Sequence, residues 1–291
     1  MILVTGVSGA LGGLILDRLT AIADLKVVAG TRTATGTARR IDFDEPATLT
    51  DGFAGVDVLV FISTGYAEDD VVLARHGAVV DAAATAGVQH VIYTSLAGSG
   101  DQITIALPHR WTEARLAEAP FDVTVLRNGL YAEIPAGLVT ASAESVAASG
   151  VFAAPLGRGR VSVVAREDLA DIATRVAVET QVDLAAGQRS HHAGRTYELE
   201  GETAIGGEDI AMALAATLGR PVRYEPVPLA QAREALTASG LEPYQVSHAV
   251  SMFSNIGAGL LESRGGELTA LLPAPPRPVL ELISNAVETG R

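Results

Sequence analysis

Short apolar runs rich in β-branched residues alternate, along the first half of the chain, with stretches whose apolar residues recur at helical spacing. Ile2-Leu3-Val4 reads as a strand, Leu11 to Leu19 as a helix, and Val27-Val28-Ala29 as a second strand. "VDVLVFI" (Val56 to Ile62) is almost wholly apolar, the pattern of a strand covered on both faces. Val71 to Ala86 predicts a helix stopped by Gly87. The strand "VQHVIYT" (Val88 to Thr94), a helix over Trp111 to Ala117 and the strand "FDVTVLR" (Phe121 to Arg127) follow. Strands separated by helices predict βαβ units with right-handed crossovers. The expected fold is α/β, a Rossmann-type doubly wound parallel sheet.

After Arg127 the rhythm changes. Pro135 to Ser149 is a helix of small residues, Arg160 to Val164 and Thr196 to Leu199 are short strands, and Asp168 to Val178 and Glu208 to Leu218 are helices. A proline-rich turn, "LLPAPPRP", leads into a last helix from about Val279. The expected organisation is a Rossmann domain over residues 1–130, to which residues 160–200 return. Residues 131–159 and 201–291 then form a smaller α/β cap at the C-terminal edge of the sheet.

The loop after the first strand carries candidate chemistry. In "TGVSGALGG", Gly6, Gly9 and Gly12 stand three apart between a strand and a helix. Ligands of open α/β sheets bind beyond the C-terminal ends of the strands, where this loop lies. Gly6 permits a tight turn, Gly9 lets the backbone approach a pyrophosphate, and Gly12 lets the helix pack close to the sheet. Ser8, Ala10 and Leu11 complete the phosphate-facing turn, where backbone amides and the helix dipole favour an anion by about 0.3–1 kcal/mol. The residue roughly 20 positions on, where an acid would hold the ribose of NAD, is Arg32. Arg39 and Arg40 follow. The cluster reads either as a clamp for the 2′-phosphate of NADPH or as a solvated basic loop. Asp42 and Phe43, at the end of the third strand, fall where adenine is expected.

Composition narrows the partners. The chain has 291 residues, 48% of them hydrophobic, enough for a sizeable core, and carries a net charge of -13. That acidic balance argues against broad contact with nucleic acid or an anionic membrane. With no cysteine, disulfide and thiolate chemistry are excluded. Neither a signal peptide nor an apolar run long enough for a bilayer is read, so a soluble cytoplasmic protein is expected. Nothing in the pattern fixes the oligomeric state, and a homodimer is compatible with it.

Most short-chain dehydrogenases use Tyr-x-x-x-Lys, in which the lysine lowers the tyrosine pKa. Lys26 is the sole lysine here and precedes the second strand, on the wrong side of the sheet. Ser95 closes the fifth strand, where such enzymes often carry a serine. The next helix reads "LPHRWTEARL" and pairs His109 with Glu113 at i, i+4. His109 is either a proton donor or a partly exposed histidine at a helix start.

"TGVSGALGG", Arg32, "DFD", "FIST", "HVIYTSLAG", "H-x-x-TE-x-x-L" and "LRNGLYAE" run in order through the first 133 residues. Together they resemble the NmrA-like, atypical short-chain dehydrogenases, and among these the second type of NADPH:quinone oxidoreductase and the triphenylmethane reductases. "REDLADIA", "GRTYELEG" and "LLPAPPRPVLELI" match more loosely, so the resemblance covers most of the chain. It implies NADPH held by Gly6, Gly9, Gly12 and Arg32, with Ser63 and Thr64 beside the nicotinamide ribose and Asn128 beside the nicotinamide. Relatives often carry a basic residue just after "TE", where this chain has Ala114, which departs from a ribose contact by that helix.

A quinone is already electrophilic, so its reduction asks mainly for stacking, orientation and exclusion of water. The missing Tyr-Lys pair is compatible with that chemistry. The expected partner is a small quinone-like acceptor, with His109, Asn128 and Tyr131 as catalytic candidates. Tyr131 and Tyr66 are either walls of its site or packing. The other reading is a non-catalytic NADP(H) sensor that docks on a regulatory protein. His191 and His192 lie in a glycine-bearing loop with no third ligand beside them, so no metal is expected. Met252-Phe253 reads as cap core or lid, and Trp111 as packing between helix and cap.

Overall fold

The computed structural model describes residues 1–63 and 67–289. Among the described residues, seven strands form one parallel sheet in the order β3-β2-β1-β4-β5-β6-β8. They are β1 (Ile2–Val4), β2 (Val27–Thr31), β3 (Arg39–Arg40), β4 (Val58–Ile62), β5 (His90–Leu96), β6 (Asp122–Asn128) and β8 (Arg195–Leu199). The central register pairs Ile2 with both Val27 and Val58. Ile2, Leu3, Val4, Leu59, Val60 and Phe61 are wholly buried, as expected of strands covered on both faces.

Two helical layers cover the sheet. Helices α1 (Ala10–Thr20) and α6 (Arg166–Ala185) lie on one face; Ile15, Leu19, Ile172 and Val176 meet Ile2, Val58 and Ile92 there. On the other face α2 (Ala47–Phe53), α3 (Asp69–Ala86) and α4 (Ala106–Ala117) enclose Leu3, Phe53, Phe61 and Tyr93. Gly87 stops α3 in the left-handed region at φ 74°, where a side chain would be strained.

Beyond β6, α5 (Glu133–Ser149), β7 (Val151–Ala154), α7 (Gly207–Leu218), β9 (Arg223–Pro226), α8 (Leu229–Ala238) and α9 (Pro243–Gly257) build a second layer with its own core. β7 and β9 pair in parallel as a separate two-stranded sheet. A short turn of helix, α10 (Leu268–Leu271), precedes the proline-rich segment. α11 (Val279–Thr289) then lies against α5 and places Ile283 and Val287, both fully buried, in the cap core. Phe253 is buried there as well. Arg277, in the proline-rich segment, ties the tail back to α6. Its guanidinium donates to the buried Asp168, and to Asp171 at 2.8 Å.

Several sequence-based expectations are corrected. Arg160 to Val164 is not a strand: Val161 bridges both Ile205 and Leu261, and Val164 bridges Tyr131, so each residue pairs with a different segment. The chain is squeezed there, since a Cβ on Gly159 would come within 1.7 Å of the Ile256 carbonyl oxygen. Helix α4 begins at Ala106 rather than near Trp111, because Pro108 falls in its first turn, where no backbone N–H is needed. Trp111 packs over Gly77 of α3 rather than towards the cap. Helix α6 extends to Ala185, about two turns beyond Val178.

Candidate active site

The first βα loop is built as its glycines require. Thr5 anchors it: its hydroxyl bonds the Val60 carbonyl at 3.3 Å and accepts the Ile62 N–H at 3.0 Å. Gly6 turns the chain at φ 63°, and a Cβ on Gly12 would sit 2.3 Å from the Gly6 carbonyl oxygen. Gly9 is the exposed N-cap of α1, with no side-chain cap and no acidic residue in the first turn. Among the described residues the first amides of α1 therefore have neither a protein acceptor nor a competing carboxylate, the condition for binding an anion. These donors open into a cleft of about 560 Å³ lined by Gly6, Ser8, Gly9, Ala10, Leu11 and Gly12. The donor set and the bare approach at Gly9 fit a dinucleotide pyrophosphate.

At the far end the cleft is lined by Arg32, Asp42, Phe43 and Asp44, and by Arg75 from α3. The three arginines of the sequence cluster are separated. Arg39 donates to the Gly52 and Ala54 carbonyls at 2.8 and 2.7 Å, and Arg40 pairs with Glu45, so both are structural and only Arg32 faces the cleft. Arg75, missed by the sequence reading, supplies the second cation. It grips Asp44 in a two-pronged ion pair at 2.7 and 2.8 Å, which with Arg32 nearby holds the Asp44 carboxyl below its ordinary range. Phe43 lines the cleft and packs T-shaped with Phe61, ring centroids 5.8 Å apart.

The other end carries Ser63, Tyr131 and Arg166. The Ser63 N–H donates to the Thr94 hydroxyl at 3.0 Å, which fixes the chain as it leaves β4. Thr64 and Tyr66 lie outside the described residues. The Arg166 guanidinium stands 4.9 Å over the Tyr131 ring, and the Asn128 side chain lies near enough to its hydroxyl to oppose the effect of burial on its pKa. Burial raises the Tyr131 pKa, so the phenol stays protonated at neutral pH. Asn128 is buried at the end of β6, behind Tyr131 rather than on the cleft lining. Arg166, also missed in the sequence, opens α6. Its Nε and the Glu133 Oε2 beside it are buried without a hydrogen-bond partner among the described residues.

Ser95 and His109 do not line the cleft. The Ser95 hydroxyl donates to Glu113, and Arg110 reaches it at 3.3 Å. Burial opposes ionisation of Glu113, but its bonds to Arg127 and Ser95 and the charge of Arg110 outweigh burial and lower its pKa. The i, i+4 partner of His109 is thus committed to a structural ion-pair network. His109 turns the other way, its Nδ1 3.0 Å from the Tyr93 hydroxyl. Burial, then the neighbouring Arg110 charge, bring its pKa down to about 4. A neutral imidazole at pH 7 is a poor acid, which weighs against the proton-donor role. Lys26 lies at the N-terminal edge of the sheet, its carbonyl accepting the Ile2 N–H.

His191 and His192 are not left without a third ligand. Helix α6 brings Glu179 to both, 3.3 Å from His191 Nε2 and 2.8 Å from His192 Nε2. Among the described residues no helix is long and apolar enough to cross a membrane.

The model of the NmrA-like family matches residues 1–281. The chain is 33% identical over 252 residues to quinone oxidoreductase 2 of Escherichia coli (strain K12), covering 83% of this chain and 82% of that protein. It is 30% identical over 258 residues to an NAD(P)H azoreductase of Xenophilus azovorans, covering 83% and 82%. Among solved structures, the triphenylmethane reductase of Citrobacter sp. complexed with NADP(H) superposes with a TM-score of 0.84 at 26% identity, over 98% of this chain and 99% of that one. The NADPH-dependent quinone oxidoreductase QOR2 of Escherichia coli, complexed with NADPH, gives 0.83 at 29% identity, over 98% and 99%.

Proposed function

The chain belongs to the NmrA-like family, and on that premise we propose that it is an NADPH-dependent oxidoreductase reducing a quinone or a similarly conjugated acceptor without a Tyr-x-x-x-Lys pair. The observation that carries this reading is the single cleft that joins the bare N-terminus of α1, the cation Arg32 and the Tyr131–Arg166 wall. NADPH, when bound, supplies the hydride. The chain's own work is to hold and orient. The first amides of α1 take the pyrophosphate, Arg32 the 2′-phosphate, and Phe43 flanks the adenine. The Tyr131 ring, steadied by Arg166 and with Asn128 behind it, forms a wall that keeps the acceptor stacked and water out. A protonated phenol and a guanidinium beside it also suit an acceptor oxygen that gains negative charge.

NADPH is expected to bind at least about tenfold more tightly than NADH, about 1.4 kcal/mol. Arg32→Ala should erase most of that gap and leave NADH affinity nearly unchanged. Fluorescence titration of both nucleotides checks this, and equal affinities in the wild type would end the phosphate-clamp argument. In turnover with a panel of quinones, His109→Ala should lower kcat several-fold at most, whereas Asn128→Ala and Tyr131→Ala should cost more. A loss of about 100-fold or more in His109→Ala would restore the general-acid role. If no quinone accelerates NADPH oxidation above the uncatalysed rate, the enzyme reading fails. A pull-down comparing NADP⁺ with NADPH would then test the sensor that docks on a regulatory protein.

A further inference from the structure

At the N-terminal edge of the sheet, opposite the cleft, the segment that leads into β8 is pinned by two bonds. The Thr124 hydroxyl donates to the His192 carbonyl at 2.8 Å, and the Gly194 N–H to the Val123 carbonyl at 2.7 Å. This places two imidazoles side by side, ring centroids 4.0 Å apart, over the C-terminal half of α6. Both turn Nε2 towards one atom, Oε2 of Glu179. The three ligand atoms lie within 4.8 Å of one another.

The far side of each ring is also fixed. His191 Nδ1 lies 2.7 Å from Asp183 Oδ2, which accepts the His191 backbone N–H as well, and His192 Nδ1 lies 2.8 Å from the Tyr197 hydroxyl. Without an ion His192 Nε2 donates to Glu179 Oε2 at 2.8 Å; a cation displaces that proton, and with the remaining proton of each ring on Nδ1, donated to those oxygens, both Nε2 lone pairs turn to the ion beside Glu179. This is the outer arrangement that orients metal-bound histidines. Arg175 occupies the other oxygen of Glu179, Oε1, at 2.8 Å, leaving Oε2 for the shared position. His192 is buried, whereas the His191 side chain is 59% exposed, which gives an ion a way in and room for water as a fourth ligand.

We propose that Glu179, His191 and His192 form a binding site for a divalent transition-metal cation, zinc being the probe of choice. Two imidazoles and a carboxylate suit zinc, and would exclude magnesium and calcium, which prefer oxygen donors alone. An ion there would clasp α6 to the segment before β8 and would touch no part of the cofactor cleft. The chain has no cysteine to compete, and His76 and His90 are buried in the core.

The test is calorimetric titration of chelator-treated protein with zinc chloride at pH 7.5, with melting curves alongside. One equivalent should bind saturably and raise the melting temperature, and magnesium chloride should do neither. His191→Ala, at an exposed position that should leave the fold intact, should weaken zinc at least about tenfold and remove the thermal shift. Asp183→Asn, which does not touch the ion, should weaken it by about tenfold because the imidazole's charged acceptor becomes neutral. NADPH affinity should be unchanged in both variants, so this outcome is separable from failure of the proposed function. Absence of saturable zinc binding, or binding unaltered in His191→Ala, would overturn the site.

Discussion

Gly9→Val should abolish binding of NADPH and NADH alike, weakening both by at least about 100-fold, or about 2.7 kcal/mol, in a protein that still folds. Gly9 has φ -86° and ψ 160°, an extended conformation open to any residue. Among the described residues a Cβ there would meet only the Gly6 carbonyl, at 3.3 Å. The cost to the fold is that of a poor N-cap, about 1 kcal/mol. What the branched side chain occupies is the approach to the first amides of α1, where the pyrophosphate must come close. Gly12→Val is the contrasting control. Its Cβ would lie 2.3 Å from a backbone oxygen, so the helix itself must shift and the melting temperature should fall steeply. Nucleotide titration with circular dichroism melts separates the two. If Gly9→Val folds and still binds, the loop is only a turn.

Acid should unfold this protein early, because its core buries uncharged histidines. His76, with burial foremost and the charges of His109 and Arg75 behind it, is brought down to about 3. His90 comes down to about 4; burial outweighs the help of Asp122, while His192 and Arg189 add to the fall. Their unfolded counterparts titrate near 6.5. Between about pH 6.5 and 4 the unfolded chain therefore binds more protons than the folded one, and stability falls as pH falls. For His76 and His90, both almost wholly buried, the loss across that window is on the order of 5 kcal/mol together. Urea denaturation at a series of pH values from 7.5 to 4.5 measures it. His90→Gln, which can keep the bond to Thr124, should remove about a third of the dependence, because His109, also brought down to about 4 by burial, shares it. The carboxylates with lowered pKa, Glu113 among them, add their own loss only below about pH 4.5. A stability curve that is flat from pH 7 to pH 5 would defeat the argument.

The parts of the molecule legible in the sequence are those encoded locally. The strand-loop-helix unit of "TGVSGALGG" announces itself within a dozen residues, because the turn at Gly6 and the close packing at Gly12 have no other residue solution. The alternation of strands and helices is equally local, and it suffices for a parallel sheet. Hidden were the pairings that the sheet makes between distant segments. Arg75 meets Asp44 across 31 positions, and Arg166 covers Tyr131 because Val164, two residues before it, bridges Tyr131. Glu179 joins His191 and His192 because the segment before β8 is pinned to β6 and laid over α6. His109 was ambiguous for a different reason. Its helix position is compatible with either face, and what decides is the Tyr93 hydroxyl waiting on β5.

The interleaving of the cap with the rest of the chain sets a timetable for synthesis. Helix α5 is made early, but α11, whose Ile283 and Val287 complete its burial, follows about 130 residues later. At about 5–20 residues per second, α5 waits roughly 7–25 s for its partner, far longer than the helix itself takes to form. During that interval Val139, Ala143 and Val146 lack part of their final cover. The nascent chain is therefore sticky on one face until α11 has been made. Slow translation of the last third should lengthen the hazard, and a chaperone that shields short apolar helices should raise the soluble yield more than one that acts on strands.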